Sequence, residues 1–294
     1  MDETGVHSMP FWDLNKEFSL QRRCFVQISN SRVLQVGVLV FMVIALALSA
    51  QASFSNASLK GGYSFLTNRW TADVNTNEDA TVGVVTFDGA GNVTASYTSI
   101  SGGVVQTGTA SGTYTVNPNG TGAIKFVTGS NPPQFAMTIT SSAAGLAHGV
   151  QLLRTDNTSN VVESGTALLQ SATAATYTLA SVKGKLSFQL NKWTADVNSS
   201  QEGIVGILTS DGAGHVKGAF TQMKGGVLGT GTLTGTYTVN ADGTGSMSLI
   251  VGTDNPQLAF ALNNATPTSP AKGLQLLQTT ENGNKVHSGV ALKQ

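Results

Sequence analysis

Arg69-Trp70-Thr71-Ala72-Asp73-Val74-Asn75 returns as Lys192-Trp193-Thr194-Ala195-Asp196-Val197-Asn198, and that echo decides the fold. The two tryptophans stand 193 − 70 = 123 positions apart. Working outward, the same offset holds from Lys60 and Lys183 through Asp88-Gly89-Ala90-Gly91 and Asp211-Gly212-Ala213-Gly214. It continues to Gly112-Thr113-Tyr114-Thr115-Val116-Asn117 and Gly235-Thr236-Tyr237-Thr238-Val239-Asn240. One inserted residue then shifts it to 124, where Gly149-Val150-Gln151-Leu152-Leu153 matches Gly273-Leu274-Gln275-Leu276-Leu277 and Ser164-Gly165 matches Ser288-Gly289. The chain is therefore read as a duplication, with repeats over 53–170 and 176–294 and a linker at 171–175. Each repeat has roughly 120 residues, enough to bury its own core.

Inside each repeat the apolar residues recur with period two, the signature of half-buried strands. Tyr63, Phe65 and Thr67 share one face of the first strand, and Ser64, Leu66 and Asn68 share the other. Leu186, Phe188 and Leu190 repeat the first set. Asp88-Gly89-Ala90-Gly91-Asn92 and Asn117-Pro118-Asn119-Gly120 are hairpin turns, because glycine supplies positive φ and Asp or Asn satisfies turn backbone groups. Counting runs between turns gives eight short-linked strands per repeat and no helical periodicity after the leader. Gly 34 and charged residues at only 11% suit that all-β reading. Eight strands in a meander remove both exposed edges by closing on themselves, so two tandem antiparallel β-barrels are expected. The alternative is a pair of β-sandwiches, which usually need longer crossing connections.

The opening Leu59-Lys60-Gly61-Gly62-Tyr63-Ser64-Phe65, the Asp-Gly-Ala-Gly hairpin and Gly-Thr-Tyr-Thr-Val-Asn-x-Asn/Asp-Gly-Thr-Gly, with an export leader, resemble the repeats of uncharacterised secreted bacterial proteins. The resemblance spans both repeats and implies calycin-like barrels and export, with no activity attached. The lipocalin Gly-x-Trp is here Gly61-Gly62-Tyr63 and Gly184-Lys185-Leu186, so no lipocalin ligand carries over.

Residues 1–52 read as a leader with a signal peptide. The apolar run 33–50 follows Arg22, Arg23 and Arg32 and ends in Ala50-Gln51-Ala52, a small-x-small cleavage pattern. Cleavage near Ala52 would deliver a secreted, periplasmic or cell-surface protein with no membrane span in the mature chain. The alternative is an N-terminal anchor, since 18 residues lie at the lower limit of a bilayer span. Cys24, the only cysteine, falls in the leader, so no disulfide is available to the repeats. Lys+Arg and Asp+Glu balance at 16 each, and no basic cluster interleaved with aromatics appears, which argues against a nucleic-acid partner.

No catalytic or metal-binding constellation is read from the sequence. Asp73, Asp79 and Asp88 have counterparts in Asp196, Glu202 and Asp211, but Asp88 and Asp211 are explained by their turns. His148, His215 and His287 occupy non-equivalent places and lack metal-ligand spacing, and no cofactor is implied. If the barrels are hollow, Tyr63, Phe65, Trp70, Tyr97 and Phe126 are expected to line the first and Phe188, Trp193 and Phe220 the second. The tryptophans could instead plug a barrel floor. The leading expectation is a non-catalytic barrel protein whose partner is a small apolar ligand or a cell-envelope component. A barrel enzyme of the isomerase or cyclase type, and a purely structural surface module, are the other readings.

Overall fold

A computed structural model describes residues 53–71, 78–127, 132–157, 161–173, 175–194, 201–265, 269–281 and 285–294. The leader with its cleavage pattern, Ala174 of the linker, Asp73 and Asp196 lie outside the described residues. The chain forms two closed antiparallel barrels of eight strands each. The first comprises β1 (Lys60–Thr71), β2 (Asp79–Asp88), β3 (Asn92–Ser101), β4 (Val104–Val116), β5 (Thr121–Phe126), β6 (Gln134–Ala143), β7 (Leu146–Arg154) and β8 (Val161–Ser171). The second comprises β9 (Gly184–Thr194), β10 (Glu202–Ser210), β11 (His215–Lys224), β12 (Val227–Val239), β13 (Thr244–Ile250), β14 (Gln257–Asn263), β15 (Gly273–Gln278) and β16 (Lys285–Lys293). Each strand pairs with its sequence neighbours, and β1 closes on β8 as β9 closes on β16.

The turns behave as their side chains require. Asp88 Oδ1 accepts the backbone N–H groups of Ala90, Gly91 and Asn92 at 2.7, 3.0 and 2.9 Å. Hydrogen bonds from the Asn92 side chain and from those N–H groups hold its carboxyl down at about 2. Asp211 repeats the arrangement with Ala213 and His215. These loops run from strand to strand, so their glycines serve hairpins.

One end of each barrel is plugged by the chain that enters it. Short 3-10 turns at Asn56–Ser58 and Leu179–Val182 precede β1 and β9, each with a reciprocal Ser or Thr capping box. Tyr114 Oη donates to the carbonyls of Asn56 and Leu59, and Tyr237 Oη to that of Leu179, so a strand on the far wall ties each plug down. Above the first plug, Tyr63, Phe87 and Tyr114 pack edge to face, with centroids 5.4 and 4.9 Å apart. In the second barrel Leu186, Ser210 and Tyr237 take those places, and Ser210 Oγ donates to Tyr237 Oη at 2.8 Å.

The barrels share a third apolar cluster built from outward-facing residues. Leu66 of β1, Val82 and Val84 of β2 and Ile100 of β3 pack against Ala259 and Ala261 of β14, Leu277 of β15 and Val286 of β16. Ser288 Oγ donates to Asn68 Oδ1 at 2.6 Å across this seam. The residues of this cluster come from different faces of the two repeats, so the cluster is not a two-fold contact. Leu277 is fully buried in it, whereas its counterpart Leu153 is exposed on the outside of the first barrel. Leu277→Ala should therefore cost about 2–5 kcal/mol in chemical denaturation, and Leu153→Ala about 0.5 kcal/mol or less. Equal losses would contradict the seam.

Candidate functional site

The plugged floors leave the opposite ends hollow. A cavity of about 270 Å³ opens in the first barrel where β1 ends and β2 begins, and one of about 470 Å³ lies at the corresponding end of the second. An eight-stranded barrel has room for side chains or for one small ligand, and here floor and mouth divide those uses between them.

The mouths stay open because of a pattern that crosses the strands. Phe65, Gly83, Tyr97 and Gly108 are register partners in succession across β1 to β4. Phe188, Gly206, Phe220 and Gly231 repeat the row across β9 to β12. A Cβ on Gly206 would fall 2.6 Å from the Phe188 ring, and one on Gly231 would fall 2.6 Å from the Phe220 ring. The glycines thus let each ring lie against the wall, where it lines the cavity without filling it.

Among the residues expected to line a pocket, Phe65, Tyr97 and Phe126 come together in the first cavity and Phe188 and Phe220 in the second. Tyr63 is buried lower, in the packed floor, where its Oη donates to the Ala147 carbonyl at 2.6 Å. Trp70 and Trp193 line neither cavity and plug neither floor. Their parity on β1 and β9 points them outward, and they meet each other edge to face at 5.9 Å between the barrels.

Each cavity also carries a charged cluster, and the two clusters occupy equivalent wall positions with different chemistry. In the first barrel Arg69 pairs with Asp79. Arg154 bridges Asp156 and Glu163 at 2.8 and 3.0 Å, while Thr67 Oγ1 donates to Glu163 Oε1 at 2.9 Å. In the second barrel Lys192, Glu202, Gln278 and His287 stand where Arg69, Asp79, Arg154 and Glu163 stand in the first. His287 Nδ1 lies 2.7 Å from Glu281 Oε1, which also accepts from Gln278 Nε2 at 2.7 Å. His287 Nε2 lies 3.7 Å from Glu202 Oε2, within ion-pair range but too far for a hydrogen bond, and is buried without a hydrogen-bond partner.

Sequence reasoning passed over this group because it compared histidines with histidines. The usable signal was inward parity: Arg69, Asp79 and Glu163, like Lys192, Glu202 and His287, are charged or ionisable residues in the parity of the core-facing positions.

No protein-family model matches the chain, and no curated protein does. Several solved structures are similar to it. One is a protein of unknown function from the DUF3598 family of Nostoc punctiforme, at 10% identity over 81% of this chain and 98% of that one, with a TM-score of 0.25. Another is kievitone hydratase from Nectria haematococca, at 7% identity over 83% and 94%, with a TM-score of 0.28. At such scores neither likeness bears on the function of this chain.

The His287 cluster makes the second barrel pH-sensitive. Burial pushes His287 down, but the hydrogen bond to Glu281 and the negative charge of Glu281 and Glu202 outweigh it and hold the imidazole above its ordinary value. Glu202 is lowered chiefly by His287; Glu281 is lowered by the same imidazole against its own burial. A raised histidine stabilises the fold fully below about pH 6.5 and loses that contribution as pH rises through the raised value. The lowered carboxylates contribute above about pH 4.5 and lose their share as pH falls through their own values. Melting temperature measured from pH 5 to 9 should accordingly fall on the alkaline side, and His287→Gln should flatten that limb. Parallel curves for the two proteins would contradict the cluster.

Proposed function

We propose that the chain is an exported tandem-barrel binding protein, each barrel taking one small, mostly apolar ligand by a polar end. The second cavity carries the argument. Phe188, Leu190, Ile204, Phe220, Leu233, Leu249 and Leu258 form its apolar wall, and polar groups make up about half of the lining, among them Glu202, Gln222, Lys224, Glu281 and His287 with its unpartnered Nε2. A concave site that joins an apolar wall to convergent polar groups suits an amphipathic small molecule. The imidazole N–H suits a ligand oxygen acceptor. Among the described residues that line the first cavity, the buried side-chain atom left without a partner is instead the acceptor Asp79 Oδ1, which suits a ligand that donates. The two barrels would then differ in ligand.

Calorimetric titration with decanoic acid tests the second barrel. One saturable site is expected, weakened by about tenfold or more in Leu233→Trp, which fills the cavity from its wall, and also weakened in His287→Gln. No saturable binding, or binding indifferent to both substitutions at unchanged melting temperature, would contradict the reading. Export is tested separately by the intact mass of protein recovered outside the cytoplasm, which should begin at Ser53. A cytoplasmic protein that retains residues 1–52 would overturn it.

One observation favours a second reading. Glu281 orients His287 through Nδ1 and leaves Nε2 without a hydrogen bond at the cavity wall, 3.7 Å from Glu202, an arrangement fit for general acid-base work. Proton NMR of a co-purified ligand incubated with the protein separates the readings, since its spectrum changes with time only if the barrel turns it over, even where the mass does not change.

A further inference from the structure

The seam between the barrels joins two unlike faces, and each repeat owns a copy of both. The first barrel uses its β1–β2–β3 face and the second its β14–β15–β16 face. Thr166 and Leu169 of β8 and Trp193 of β9 also reach across the seam, but the rest of the β6–β7–β8 face of the first barrel and of the β9–β10–β11 face of the second has no occupant among the described residues. The strand registers fix the equivalences. Ala136 pairs with Leu153 as Ala259 pairs with Leu277, and Trp70 pairs with Val162 as Trp193 pairs with Val286. On the other face Leu66 pairs with Val82 as Gln189 pairs with Val205.

The equivalents of the seam residues remain apolar and stand in the open. Val82, Val84 and Ile100 are 1%, 4% and 0% exposed, whereas their counterparts Val205, Ile207 and Met223 are 52%, 42% and 46% exposed. Leu277 and Val286 are 0% and 1% exposed, and Leu153 and Val162 are 49% and 53%. The hydrogen-bonding pair that crosses the seam is also kept, for Ser288 and Asn68 correspond to Ser164 and Asn191. Outward apolar side chains gathered on a sheet face mark an interaction site. Here the structure itself displays the surface that fits each of them.

We propose that the chain associates head to tail with a second copy of itself, the β9–β10–β11 face of one molecule seating on the β6–β7–β8 face of the next. The contact would repeat the internal seam. A heterologous contact of this kind has no closure of its own, so it extends into rows unless the rotation closes a ring. Gln189 in place of Leu66 and Thr138 in place of Ala261 make the outer faces less apolar than the inner ones. The association is therefore weaker than the internal seam and depends on concentration.

Sedimentation velocity of the full chain over a concentration series is the test, with two double variants, Val205→Glu/Ile207→Glu and Leu153→Glu/Val162→Glu. All four positions are exposed, so melting temperatures close to that of the parent protein are expected and are checked first. The parent should grow beyond a dimer with concentration. Each variant alone has one face disabled and should remain monomeric, while the two mixed should form a one-to-one dimer and nothing larger, because each supplies the face that the other lacks. A parent protein that stays monomeric at the highest concentration reached, variants that still associate alone, or a mixture that fails to pair would each overturn the proposal.

Discussion

The main-chain hydrogen bonds that join β1 to β8, and β9 to β16, carry the rest of the structure. A meander of eight strands has two edges, and each edge presents a row of unpaired N–H and C=O groups. Pairing the first strand with the last satisfies both rows at once. It also fixes parity, because a closed sheet has one inside. Phe65 beside Ala167 and Phe188 beside Ala291 then face the interior, while Leu66 and Gln189 must face out. Cavity and seam both depend on that parity.

Closure by itself leaves open what fills the barrel. The chain fills the lower half with the entering 3-10 turn and the residues stacked on it, and the Gly–aromatic rows keep the upper half clear. Since the rows appear in both repeats at the same wall positions, the hollow belongs to the duplicated unit. The ionisable side chains that line it do not: Arg69, Asp79, Arg154 and Glu163 in one barrel become Lys192, Glu202, Gln278 and His287 in the other. Phe65 and Phe188, Tyr97 and Phe220, Phe126 and Leu249, and Phe135 and Leu258 stay bulky at equivalent wall positions, whereas Thr67 and Thr81 become Leu190 and Ile204 and the ionisable groups change, so the two cavities share a frame and differ in chemistry.

Much of this was legible in the sequence, and the reasons for the remainder are physical. The 123-residue echo, the period-two alternation and the Asp-Gly and Asn-Gly turns led to eight strands per repeat and a closed meander. Those signals are local, so a single chain displays them. The Gly–aromatic rows are not local. Phe188 and Gly206 are 18 positions apart and meet only when register is known. Trp70 and Trp193 misled because an aromatic beside a cation reads equally well as plug, pocket wall or seam, and only parity with Leu66 and Asn68 shows that it points out. The seam was hidden for a further reason. Val82 and Val205 are the same residue type at equivalent positions, yet one is buried and the other exposed, a difference that arises only when the barrels pack.

Amide hydrogen exchange across the closing strands tests closure most directly. The account predicts that β1 and β8, and likewise β9 and β16, are protected as strongly as the neighbouring β2 and β3 or β10 and β11, because no strand of either barrel is an edge. Exchange in β1 or β8 that is faster by orders of magnitude than in β2 and β3 would mean an open sheet or a sandwich, and the interior cavities argued from closure would go with it.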